Sequence, residues 1–218
     1  MKLQKLGGFA CVLLVLVEIA SSSILISIFR GFTGLDIYDP VKMIAAYQGS
    51  TSFFWAFYIL GMLNGILTLL IVLALRERMQ AKAPTMMLLA VVGASVFSGL
   101  SITGMIGGFF RNILLAQMND TSAFRVFLVL HELFFSAAAS ALGWAFLMIG
   151  CAAIRTRGLP RTLAYAILPF SIFMIIQFGF AVSQFGLGND IASFLWLIVF
   201  VWLGVVLLRK PVQLPSQT

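Results

Sequence analysis

Charge is what this chain most lacks. Only 10% of its residues are Asp, Glu, Lys or Arg, against 61% that are apolar, and its mean hydropathy is +1.08. A soluble globule normally has about a quarter of its residues charged, so a water-covered fold is excluded. The chain reads as a membrane protein. Histidine is nearly missing too. His131 is the single one, which excludes a haem held between two histidines. The five lysines fall in loops or at the ends of apolar runs, so none sits inside a span to form a retinal Schiff base. Two cysteines, Cys11 and Cys151, lie inside apolar runs and make neither a disulfide framework nor a metal motif. They read as small packing residues. No phosphate loop or dinucleotide fingerprint occurs, and no serine has the histidine partner and glycine-rich setting of a nucleophile. The sequence therefore assigns no catalytic residue, no metal and no cofactor.

What abounds is unbroken apolar sequence. Six stretches, about 8–29, 53–75, 85–110, 126–154, 161–184 and 190–208, approach or exceed the length a helix needs to cross the hydrocarbon core. Spanning strands alternate apolar and polar residues, whereas "VLLVLV" and "LTLLIVLALR" are apolar on every side. A helix also satisfies its own amides where lipid offers none a partner. The expected fold is all-α: one integral membrane domain over residues 1–218, a polytopic bundle of six transmembrane helices with an outer loop at 30–52.

The formal charge of +7 suggests nucleic acid until the basic residues are located. Lys2, Lys5, Arg76, Arg78, Lys82, Arg155, Arg157, Arg161, Arg209 and Lys210, ten of the fourteen, fall on one side of the spans. The other side holds Arg30, Lys42, Arg111 and Arg125 beside Asp36, Asp39, Asp120 and Asp190. The positive-inside rule then puts both termini in the cytoplasm. The expected partner is the lipid bilayer, with its anionic headgroups, rather than nucleic acid. A cleaved signal peptide is the rival reading of the N-terminus, with "MKLQK" as its basic region and "EIASSS" near a cleavage position. Glu18 and an apolar run continuing to Phe29 argue against it.

Punctuation is sparse. In the outer loop, Gly31, Gly34 and Asp39-Pro40 are turn signals, and "PVKMIAAY" predicts a short amphipathic helix with Pro40 at its first position. In a second outer loop, about 112–125, Asp120 or Thr121 can cap the next helix. The inner loops "RERMQAKAPT" and "RTRGLPRT" place Pro84 and Pro160 where helices begin. Pro169 lies inside a span and is expected to bend it.

Small residues mark where helices touch, because in lipid association relies on close packing. Gly104 and Gly108 are four apart in the third span, with Gly93, Gly99 and Gly107 nearby. Ser136 and Ser140, with Ala139 and Gly143, share a face of the fourth. Both spans are expected to make interior contacts.

The chemistry-bearing candidates are few. Within "VFLVLHELFFSAAASALGW", Glu132 shares the face of Ser136, Ser140 and Gly143 and is expected to point into the bundle, while His131 points about 100° away. Arg111, near the outer end of the third span, is a candidate counter-ion for Glu132, or else reaches for the headgroups. Glu18 lies mid-span in the first apolar run. Two uses are open to Glu18 and Glu132: a neutral acid bridging helices, or a protonatable or ligand-binding group on a solute path. Asn64 with Gly61 and Thr68, and Gln177 with Gln184, read first as packing residues and second as polar walls of a cavity. A zinc site would have to recruit His131, Glu132 and Glu18 from different depths and is set aside.

The run "GWAFLMIGCAAIRTRGLPRTLAYAILP", in which a basic helix end, Gly158-Leu159-Pro160-Arg161 and a new helix follow in order, resembles a bacterial family of six-helix membrane proteins defined only as a domain of unknown function. The closing "LWLIVFVWLGVVLLRKP" is similar to its last span. The resemblance rests on residues 143–211. It implies six spans and a bacterial inner (cytoplasmic) membrane, and carries over no activity and no site residue. Three roles are then expected, in this order. The first is a structural or regulatory subunit that assembles with itself or another membrane protein through small-residue faces. The second is a small proton-linked carrier using Glu18, Glu132 and His131 with Arg111. The third is an enzyme acting on lipid or quinone.

Overall fold

The computed structural model describes residues 2–28, 39–49, 51–118, 120–181 and 187–209. Those residues form seven helices and no strand: α1 (Lys2–Ile28), α2 (Pro40–Gly49), α3 (Thr51–Met79), α4 (Pro84–Met118), α5 (Thr121–Thr156), α6 (Arg161–Ala181) and α7 (Leu187–Leu208). All but α2 coincide with the six apolar stretches. Four helical stretches are long and apolar enough to cross a membrane: Leu3–Ile24, Thr51–Met79, Pro84–Phe109 and Thr121–Thr156. In α6 and α7 the stretches Arg161–Ile176 and Trp196–Leu208 are apolar but shorter.

The helices start where the local chemistry says. Asp39 caps α2, its carboxylate accepting from Val41 N at 3.0 Å, and Pro40 takes the first helical position, where its missing amide costs no bond. Asp120 caps α5 by accepting from Ser122 N at 3.1 Å and Ala123 N at 3.0 Å. Pro84 and Pro160-Arg161 open α4 and α6. The second outer loop is shorter than expected. Residues 112–118 continue α4 and 121–125 begin α5, because "RNILLAQM" contains no helix breaker and Asp120 caps the helix that follows. α4 and α5 are therefore 35 and 36 residues long. At 1.5 Å per residue each runs to about 50 Å, well beyond a bilayer core of about 30 Å. α6 runs on through Pro169. The outer-loop turn signals Gly31 and Gly34, with Arg30 and Asp36, lie outside the described residues.

The long helices alternate in direction and pack as a ring, α1 on α3, α3 on α4, α4 on α5, α5 on α6, α6 on α7 and α7 on α1. The basic residues Lys5, Arg76, Arg78, Lys82, Arg155, Arg157, Arg161 and Arg209 thereby collect at one end, called here the basic end. Two cross-contacts fix that end: Arg78 donates to the carbonyl of Val206 on α7 at 3.3 Å, and Gly158 lies against Met79. The main core fills the ring from the basic end to mid-depth. At its centre Phe146 meets Phe170, Trp196 and Phe200 edge to face, while Trp196 packs at a tilt on Phe200, centroids 4.2 Å apart. A second apolar cluster closes the opposite end. There α2 lays Met43, Ile44 and Tyr47 onto Phe54, Tyr58, Met105, Phe109 and Phe124, and Gln48 donates to the carbonyl of Ala116 at 2.6 Å.

Large apolar side chains cover the outside of the ring, among them Phe9, Leu16, Val92, Ile172 and Val201. In water such a surface would aggregate; against acyl chains it is the matched solvent. These long apolar helices embed the protein in a membrane.

Candidate functional site

At mid-depth, three polar side chains link α1 to α3. Glu18 follows Cys11 and Leu14 on the inward stripe of α1, and those two are fully buried. Asn64 donates its amide to Glu18 Oε1. One turn along α3, Thr68, fully buried, donates its hydroxyl to Asn64 Oδ1 at 3.3 Å. Helical spacing places Asn64 and Thr68 on one face of α3, and Gly61 and Gly65 on that helix let α4 come close. The result is a directed chain, Thr68 to Asn64 to Glu18, in which each donor points toward the carboxyl group. A donor to one carboxyl oxygen lowers the cost of keeping an acid away from water. Sequence reasoning took Asn64 and Thr68 for packing residues. Sequence shows only that they lie at similar depth, Glu18 thirteen residues from Lys5 and Asn64 twelve from Arg76.

A second feature lies nearer the opposite end. His131, about 15 Å along α5 from its start, faces α4, where a Cβ on Gly108 would come 3.2 Å from His131 Nδ1 and 3.3 Å from Tyr58. His131 also rests on Phe135, ring centroids 5.3 Å apart. Beside it runs a groove of about 150 Å³ lined by Thr103, Gly104, Gly107, Gly108, His131 and Phe134. The two features are separate: the groove does not include Glu18.

Other expected site residues fall apart along the bundle. Glu132 and Arg111 are placed on α5 and α4, but their side chains lie outside the described residues, as do those of Gln177 and Asp190, and all of Gln184. The serine and glycine face of α5 turns to α6. Ser140 donates to the Ile175 carbonyl at 3.2 Å, and a Cβ on Gly143 would meet the Ser171 carbonyl at 2.7 Å. Ser136, one turn away, is buried.

The glycine pair of α4 splits. Gly108 is packed against α3 and α5, whereas a Cβ on Gly104 would meet nothing within 4 Å. Open space also surrounds Gly99 and Gly107. With Ser95 and Thr103 these make a run, Ser95, Gly99, Thr103, Gly107, at strict four-residue spacing, and all four are exposed on the outer face of α4. Of the pair expected to make interior contacts, Gly108 does so and Gly104 does not, because spacing alone cannot tell which of two adjacent stripes the chain itself uses. No family model, no curated protein and no solved structure matches this chain.

Proposed function

We propose that this chain is a six-span protein of a bacterial cytoplasmic membrane, with both ends inside, that works as a structural or regulatory subunit. It assembles with a helix of another membrane protein, or of a second copy, through the outer face of α4. The carrying observation is the stripe Ser95, Gly99, Thr103 and Gly107, exposed and without a Cβ neighbour at either glycine. Elsewhere in the ring, close contacts between helices are made at glycine: Gly7 on Ala74, Gly61 on Met105, Gly93 on Ala141 and Gly143 on Ser171. On α4 the same device faces outward, where a backbone from outside the chain can approach. Eight basic residues at one end support the topology under the positive-inside rule, and α6 and α7 complete the ring as the fifth and sixth spans.

The test is native mass spectrometry of the protein gently extracted from its membrane, comparing wild type with Gly99→Leu and Gly107→Leu. An added Cβ meets nothing within 4 Å at either position, so the unfolding temperature should not fall while the bound protein or second copy is lost. A complex of unchanged mass in both variants would refute the reading. Cysteine-reagent accessibility at Arg157→Cys and Ser122→Cys, from each side of the membrane, tests the topology separately.

A further inference from the structure

The assembly face leaves Glu18 unexplained. Its setting differs from that of a salt bridge, a metal ligand or a sealed core acid. α1 packs on α3 and α7. On α3 the charged residues Arg76, Glu77 and Arg78 lie at least twelve positions beyond Asn64, about 18 Å toward the basic end. On α7 the side chains from Trp196 to Leu208 carry no charge, and that of Asp190 is outside the described residues. Among the described residues no cation faces Glu18. Hard cations take six or more oxygens. Here Asn64 turns its N–H to the carboxyl while Thr68 occupies its carbonyl oxygen, so the amide repels a cation rather than binding one.

We propose that Glu18, Asn64 and Thr68 form an intramembrane proton-binding site in which Glu18 takes up and releases one proton. The Asn64 amide holds Oε1 as an acceptor in both states. The other oxygen, with no hydrogen bond among the described residues, carries the proton. Glu18 is partly exposed rather than sealed in the core, which leaves its carboxyl within reach of a lipid-soluble reagent. An acid serving only to bridge helices would need neither the free oxygen nor the exposure. Intramembrane acids in such settings commonly lie on proton paths, and this site is independent of the α4 face.

A hydrophobic carbodiimide, dicyclohexylcarbodiimide, tests it on the full chain in lipid vesicles. The protonated carboxyl adds across one C=N bond: its oxygen joins the central carbon and its proton goes to nitrogen. The acyl group then migrates from oxygen to nitrogen, leaving a stable N-acylurea with no leaving group. Peptide mapping should place one adduct on Glu18, with a labelling rate that falls at least about tenfold from about pH 6 to about pH 9. Glu18→Gln should remove it. Thr68→Val, which preserves shape in a fully buried position, should shift the pH dependence by freeing the Asn64 carbonyl. No adduct on Glu18, a rate flat across that range, or a profile untouched by Thr68→Val would each overturn the proposal.

Discussion

A Cβ on Gly143 would stand 2.7 Å from the carbonyl oxygen of Ser171 and 2.8 Å from Met174 Cβ. At that crossing α5 meets α6 backbone to backbone, and the first of the contacted atoms cannot swing away. Gly143→Ala should therefore cost roughly 1–3 kcal/mol, the usual penalty of overpacking. Gly99→Ala, with open space around it, should cost nothing measurable and gain a little from better helix propensity. Unfolding of the two variants in mild detergent checks the contrast. Equal stabilities would mean that α5 and α6 do not cross at Gly143.

Tyr47 and Tyr58 share a hydrogen bond of 2.7 Å between buried hydroxyls, and Tyr47 stacks on Phe54 with centroids 3.8 Å apart. This joins α2 to α3. Replacing either tyrosine by phenylalanine leaves the other hydroxyl short of that partner, at a cost of about 1–2 kcal/mol. The double Phe variant should lose less than the sum, because the two hydroxyls share one bond that is lost only once. Amide hydrogen exchange in α2 reads the effect: faster in each single variant, partly recovered in the double. Additive losses would show that the two hydroxyls act separately.

Local chemistry was legible in the sequence because it depends on neighbours in the chain. Asp120 caps α5, Pro40 opens α2 and the apolar runs lie on helices, each for a reason contained in a few consecutive residues. The Glu18–Asn64 bond was not legible, since it depends on how two helices are rotated and slid against each other. Nor could sequence separate the stripe through Gly104 and Gly108 from that through Gly99 and Gly107. Both have helical spacing, and only the fold decides that Gly108 faces His131 and Gly107 faces outward. Glu132 and Arg111 stay where residue spacing alone leaves them.

Arg157 is the one described non-glycine residue with positive φ, 54°, where it ends α5 in the left-handed conformation. Glycine is the usual occupant of that position because a Cβ there crowds the following carbonyl. Gly158 comes one residue too late. Arg157→Gly should raise stability by roughly 0.5–1 kcal/mol, the strain relieved less the added freedom of the unfolded chain. Thermal unfolding measures it, and a loss would indicate that the Arg157 side chain holds the loop more firmly than its backbone strains it.

Two carboxamides in this membrane chain should answer opposite ways to the same substitution. Asn64 donates to Glu18 and accepts from Thr68. Gln4 is 9% exposed, but its Nε2 is buried with no hydrogen-bond partner among the described residues. It sits one turn before Gly7, where α1 touches Ala74 of α3. An unpaired buried N–H costs about 1–3 kcal/mol. Leucine has nearly the same volume and no polar atom, so Gln4→Leu should leave stability unchanged or raise it by about 1 kcal/mol. Asn64→Leu should lower it by about 1–3 kcal/mol, because it strands both the Thr68 hydroxyl and the Glu18 carboxyl. Unfolding of both variants in the same lipid mixture decides the matter. If Gln4→Leu falls as far as Asn64→Leu, the Gln4 amide is bonded to something outside the chain, and a phosphate of the headgroup layer beside Lys5 is the first partner to look for.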